Sequence, residues 1–193
     1  MRLCPPSVLV IALAFLIPLC SAPAQTDPAA DYAKIREGLS KLTPLVGKWN
    51  AVALFHSGDK VTEQDGTYDI GWALDETYLE FRVQLHRKND PSRPHGFIIY
   101  LTYNPATQQY ESTYFYTRWA LRVSETGTFD AASKQFRTTA FIPREDGVHD
   151  ENVRTISDLK NPNKIVYTHY SRYNNETAER MDLQITLTRE SPR

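Results

Sequence analysis

Cysteine is nearly missing from this chain: Cys4 and Cys20 are the only two in 193 residues. Both fall in an N-terminal segment with the pattern of a secretory signal peptide. Met1 and Arg2 lead, an apolar run extends from Val8 to Ile17, and Ala22-Pro23-Ala24 supplies the small residues of a cleavage site. Cleavage is expected after Ala24, which leaves residues 25–193 as a periplasmic or secreted protein without disulfide or thiol chemistry. Leu19 stands where a lipid-modified Cys20 would want a small residue. The Val8–Ile17 run falls well short of the roughly 20 residues a membrane-spanning helix needs, so no stable anchor is expected once the leader is gone.

A basic excess is also lacking. The formal net charge is −1, which argues against a nucleic-acid partner. There is no glycine-rich phosphate loop and no Gly-x-Ser-x-Gly elbow. His56, His86, His95, His149 and His169 form no His-x-His or His-Glu-x-x-His pair, so no metal site is expected. The acidic pairs Asp75-Glu76, Glu145-Asp146 and Asp150-Glu151 fall in turns or at a strand edge, where solvated charge is the ordinary state. No cofactor is expected from any motif.

What is present is strand. After a short helix expected at about 28–42, with Tyr32, Ile35, Leu39 and Leu42 at helical spacing and Thr43-Pro44 to end it, the pattern changes. Strands are expected near 48–56, 62–73, 77–88, 96–104, 108–117, 120–129, 135–143, 151–158, 164–173 and 178–189. Leu79, Phe81, Val83 and Leu85 alternate with Glu80, Arg82, Gln84 and His86; Met181, Leu183, Ile185 and Leu187 alternate with Asp182, Gln184, Thr186 and Thr188. Each such strand has one apolar and one polar face. The fold class is therefore all-β: an antiparallel up-and-down barrel of about ten strands in a single domain, spanning about 47–190. A two-sheet sandwich is the alternative.

Gly47-Lys48-Trp49 at the start of the first strand, after a short helix, resembles the Gly-x-Trp signature of lipocalins and related calycin barrels. That resemblance implies that Trp49 closes one end of the barrel and that Arg189, from the last strand, packs on its ring. More widely the chain resembles exported bacterial lipocalin-like domains of unknown function. The likeness runs through Leu45-Val46-Gly47-Lys48-Trp49, Leu79-Glu80, Gly96-Phe97, Tyr103 to Tyr110, Ser124 to Asp130 and Ile185 to Arg189. The strand number is closer to the ten-stranded fatty-acid-binding and nitrobindin barrels. The structural residues implied are Gly47, Trp49 and Arg189.

Candidate ligand contacts come from aromatic and polar strand residues. Tyr100, Tyr103, Tyr110, Tyr114 and Tyr116 crowd two adjacent strands, and Tyr110, Ser112, Tyr114 and Tyr116 share a face by period two. A tyrosine offers an apolar ring with a hydroxyl tip, which suits an apolar or amphipathic small molecule. Arg82, Arg118 and Arg154 lie in or beside strands; in a lumen they would favour an anionic head group, and on the polar face they are solvated. His169, in mid-strand, is the candidate for an axial haem ligand, against the plainer reading of a hydrogen-bonded strand histidine. The ligand-binding candidates are Tyr100, Tyr114, Tyr116, Arg82, Arg154 and His169; no catalytic residue is assigned. The leading expectation is a small-molecule binder. An isomerase, cyclase or haem-dependent enzyme using the same lumen is the alternative, and an interaction module of the cell envelope is a third.

Overall fold

The computed structural model describes residues 28–88, 90–117, 122–143 and 150–191. The leader, Arg118, Glu145-Asp146 and His149 lie outside the described residues. Helix α1 (Pro28–Ser40) and a short 3-10 turn (Thr43–Leu45) precede ten strands. These are β1 (Gly47–Ser57), β2 (Lys60–Ala73), β3 (Tyr78–Arg87), β4 (Asp90–Asn104) and β5 (Gln109–Tyr116). They continue as β6 (Arg122–Asp130), β7 (Gln135–Ile142), β8 (Glu151–Asn161), β9 (Lys164–Tyr173) and β10 (Arg180–Arg189). Every strand pairs antiparallel with its chain neighbour, and β1 pairs with β10 to close the barrel. Closure leaves no open edge, so the sandwich alternative is set aside.

Alternation decides what faces inward. Leu79, Val83 and Leu85 of β3 are buried, while Arg82 and Gln84 between them are exposed. In β10 the alternation breaks at a register shift between Met181 and Leu183. Leu183, Ile185 and Leu187 keep to the interior, but Met181, placed on the apolar face by period two, is exposed. An extra residue in a strand turns its neighbours to the other side.

The connections β2–β3, β4–β5, β6–β7 and β8–β9 share the barrel end from which β1 starts, and α1 closes that end. Leu39 and Leu42 are fully buried, and Tyr110 donates its hydroxyl to the Gly38 carbonyl at 2.7 Å. Tyr32, expected on the buried face of the helix, is exposed instead; the contact is made by the last turn. Gly38 lies so close to the Tyr103 ring that a Cβ there would overlap it. Leu39→Ala is expected to destabilise the domain by about 2–5 kcal/mol through a cavity beneath the helix. A urea unfolding midpoint unchanged from wild type would show that α1 contributes nothing to the core.

Candidate functional site

The floor of the lumen is one aromatic ring and one guanidinium. Trp49 is fully buried, and its indole N–H donates to the Leu45 carbonyl at 2.8 Å. Arg189 lies over the indole with its guanidinium carbon 4.1 Å from the ring centroid. Its three nitrogens donate to the carbonyls of Pro162, Val46 and Pro44 at 2.9, 2.8 and 2.7 Å. A planar fork over an aromatic face does what a lysine ammonium could not. Gly47 has φ +135°, and a Cβ there would stand 2.5 Å from Nη1 of Arg189. Glycine is thus required both by backbone angle and by the approach of the arginine.

Above this floor is a cavity of about 210 Å³. Its wall has two characters. Strands β1 to β4 present Phe55, Ile70, Phe81, Phe97, Ile99 and Leu101. Strands β7, β9 and β10 add Phe136, Ile165, Leu183, Ile185 and Leu187, but β5 to β10 also carry a polar belt, which strand pairing assembles in two stretches. Ser112 is opposite Glu125, Thr138 is opposite Thr155, and Thr155 is opposite His169. Hydrogen bonds knit the belt together. Tyr114 and Thr138 donate to the same Glu125 carboxylate oxygen at 3.0 and 2.7 Å, and Thr138 and Thr155 hydroxyls meet at 2.6 Å. Further round, Asp182 binds Nδ1 of His169 and accepts from the Ser171 hydroxyl, both at 2.6 Å.

Burial perturbs these groups. Glu125 is 5% exposed, and desolvation raises its pKa above the ordinary carboxylate value against the lowering effect of Thr138, Tyr114 and His169. Asp182 is also pushed up by burial, but hydrogen bonding from His169, the His169 charge and the Ser171 bond outweigh that, so its pKa falls. Burial drives the phenols of Tyr68, Tyr114 and Tyr167 upward and that of Tyr116 to about 12. They are neutral at physiological pH and act as hydrogen-bonding groups. The hydroxyls of Tyr68 and Tyr167 and Nε2 of His169 have no hydrogen-bond partner among the described residues, and all three residues line the cavity.

Residues 38–189 match the family described as protein of unknown function (DUF1579). The chain belongs to that family. No curated protein matches the sequence significantly. The DUF1579 barrel is similar to the crystal structure of Rv2717c from M. tuberculosis, with TM-score 0.60 and 14% identity over 80% of this chain and 98% of that one. It is also similar to the S-type phycobiliprotein lyase CPES from Guillardia theta, with TM-score 0.57 and 10% identity over 88% of this chain and all of the other. Both are ten-stranded antiparallel barrels of the lipocalin-like type. At such identities the likeness is one of fold.

The residues singled out in the sequence divide cleanly in the DUF1579 barrel. Tyr114, Tyr116 and His169 line the cavity. Tyr100 does not: it neighbours Ile99 and Leu101, which point inward, so period two sends it outward, where it donates to Glu80 at 2.6 Å. Arg82 is on the same outer face and pairs with Glu80 at 2.5 Å. Arg154 alternates with buried Val153 and Thr155; it lies over the Tyr170 ring at 4.2 Å and bonds Glu179 at 2.7 Å. None of the three reaches the lumen. Among the described residues lining the cavity there is no Arg or Lys, so the anionic head group those arginines would have favoured has no anchor here.

Three chemistries are poorly served. Ser171, His169 and Asp182 are neighbours, but the serine hydroxyl donates to the aspartate rather than to the imidazole. The nucleophile–base contact of acyl transfer is not formed. Among the described residues no three metal-binding side chains converge. Haem does not fit: a cavity of about 150 Å³ takes a single benzene ring, and about 210 Å³ is too little for a four-ring macrocycle. Glu125, Thr138, Thr155 and Asp182 were not singled out in the sequence. Glu125 carried a readable signal, because it stands between Val123 and Gly127 on the inward parity of β6. Asp182 carried none, since a bulge brings it inward.

Proposed function

We propose that this DUF1579 protein is an exported binding protein that encloses one compact amphipathic molecule in its lumen. The observation that carries the reading is a mostly apolar lumen with a hydrogen-bonded polar belt on its β5 to β10 side. A ligand with an apolar ring or short chain and a polar edge satisfies both sides. The volume limits it to about the size of one substituted ring. Gly47, Trp49 and Arg189, in their floor arrangement, also support kinship with the calycin barrels. Export belongs to the same proposal and rests on residues 1–24; an N-terminus at Gln25 in protein from the periplasm or medium is the expected result.

Native mass spectrometry of the protein purified from its source is expected to show a retained small molecule. The extracted compound, added back at a hundredfold excess over Kd, should stabilise the fold by about 2.7 kcal/mol, several degrees in Tm. Ile99→Trp, which fills the lumen, should abolish the shift. A protein that is repeatedly empty, with no shift across a panel of single-ring and short-chain compounds, would sink the binding reading.

A further inference from the structure

We propose that the lumen selects a compact organic cation, a single-ring amine whose ammonium group pairs with Glu125. The proposal rests on the binding reading above and deepens it. Among the described residues that line the cavity, Glu125 is the carboxylate, and it has spare capacity. Both oxygens of Asp182 are taken, one by His169 and one by Ser171. Tyr114 and Thr138 share a single oxygen of Glu125, and Oε1 has no hydrogen-bond partner among the described residues. No Arg or Lys lines the cavity among those residues. His169, whose Nδ1 is already engaged by Asp182, is the side chain near Glu125 that can offer it positive charge; a buried carboxylate so thinly compensated is costly, and a bound ammonium lowers that cost.

The surroundings suit a cation as well. Tyr114 and Tyr116 stack with ring centroids 6.2 Å apart, and Phe97 lies 5.5 Å from Tyr116 and 6.4 Å from Tyr114. All three rings line the same cavity as Glu125, to which the Tyr114 hydroxyl donates, and an ammonium held there gains from the negative π-face of any ring it meets. The unpaired hydroxyls of Tyr68 and Tyr167 add acceptors. His169 is the one lining side chain besides His95 that can carry positive charge, and its Nδ1 is already met by Asp182. A ligand carboxylate beside Glu125 would meet like charge, with only the His169 imidazole, already engaged by Asp182, to offset it. A neutral alcohol would bond but leave the charge unanswered.

Phenethylamine, phenethyl alcohol and phenylacetate are the probes, titrated calorimetrically into the mature protein at pH 7.5. The amine is expected to bind at least tenfold tighter than the alcohol, and phenylacetate not measurably. Glu125→Gln keeps an oxygen for Tyr114 and Thr138; it should weaken the amine at least tenfold and leave the alcohol within about twofold. Should that variant fold poorly, Phe97→Leu tests the ring side and should cut the amine more than the alcohol. An alcohol that binds as tightly as the amine, or an amine indifferent to Glu125→Gln, overturns the cation while leaving the binding reading intact. No binding by any probe also overturns the cation; the binding reading falls only if native mass spectrometry finds the lumen empty too.

Discussion

Trp49→Ala is expected to cost about 3–5 kcal/mol, a large part of the roughly 5–15 kcal/mol that holds a small domain folded. The indole is fully buried, packs in the main core, and carries the Arg189 guanidinium on its face. Arg189→Ala should be costly by a different route. It strips the carbonyls of Pro44, Val46 and Pro162 of their donors, which ties the ends of the chain's folded part together through one side chain. Arg189→Lys should recover little, since one ammonium cannot cover three divergent carbonyls and stack as well. Gly47→Ala meets both a φ of +135° and the 2.5 Å approach of Nη1, so the guanidinium must move or the backbone strain. Urea midpoints for these variants and for the Trp49→Ala/Arg189→Ala pair give the test. The double variant should lose less than the two singles combined, because each residue's contribution depends on the other. Strict additivity would mean that stacking contributes nothing and that the two act separately.

That floor was legible in the sequence because it is built from a local motif and one residue at the far end of the last strand. The strands were legible too, since alternation and turn residues are local signals, and ten expected strands correspond to ten observed ones. The sidedness of individual residues was harder. Tyr100 shares a tyrosine-rich stretch with Tyr103 but differs from it by three positions, so it lies on the opposite face. Period two applied to the apolar neighbours Ile99 and Leu101 is enough to place it. Arg82 and Arg154 follow the same rule. The polar belt was not legible, because it depends on register across six strands. Thr138, Thr155 and His169 are 17 and 14 positions apart in sequence and become neighbours only when β7, β8 and β9 pair. Asp182 needed in addition the bulge in β10. Local pattern fixes which residues face inward; pairing decides which inward residues meet.

Glu125 makes the stability of this barrel expected to fall as pH rises above the ordinary carboxylate range. Burial raises its pKa in the folded state, so just above the usual value of 4.5 the unfolded chain has released its proton while the folded chain keeps it. The folded state then binds more protons than the unfolded one, and unfolding free energy decreases with pH through that window. Above the raised pKa the loss is complete and the curve flattens. Tyr114 and Thr138 temper the effect by donating to the carboxylate, and His169 tempers it by charge; Tyr116 and Tyr167 stay neutral across this range and add no charge of their own. Asp182 works in the opposite direction and at lower pH. Its folded pKa is depressed, so its contribution is present above the usual value of 3.8 and is lost as acid drives the pH below it. Unfolding midpoints taken from pH 3 to pH 8 should therefore rise and then fall in the wild type. Glu125→Gln removes the titration and keeps the acceptor, so the falling limb should vanish while the acid limb persists. Asp182→Asn should do the reverse. A falling limb retained in Glu125→Gln would assign it to another group, and a wild-type curve flat above pH 5 would mean that the carboxyl is solvated from the lumen as well as in the unfolded chain. A saturating lumenal amine adds a counter-charge directly at Glu125, so it should flatten the falling limb in the wild type and leave Glu125→Gln unchanged. The stability curve and the binding preference thereby report on one carboxylate.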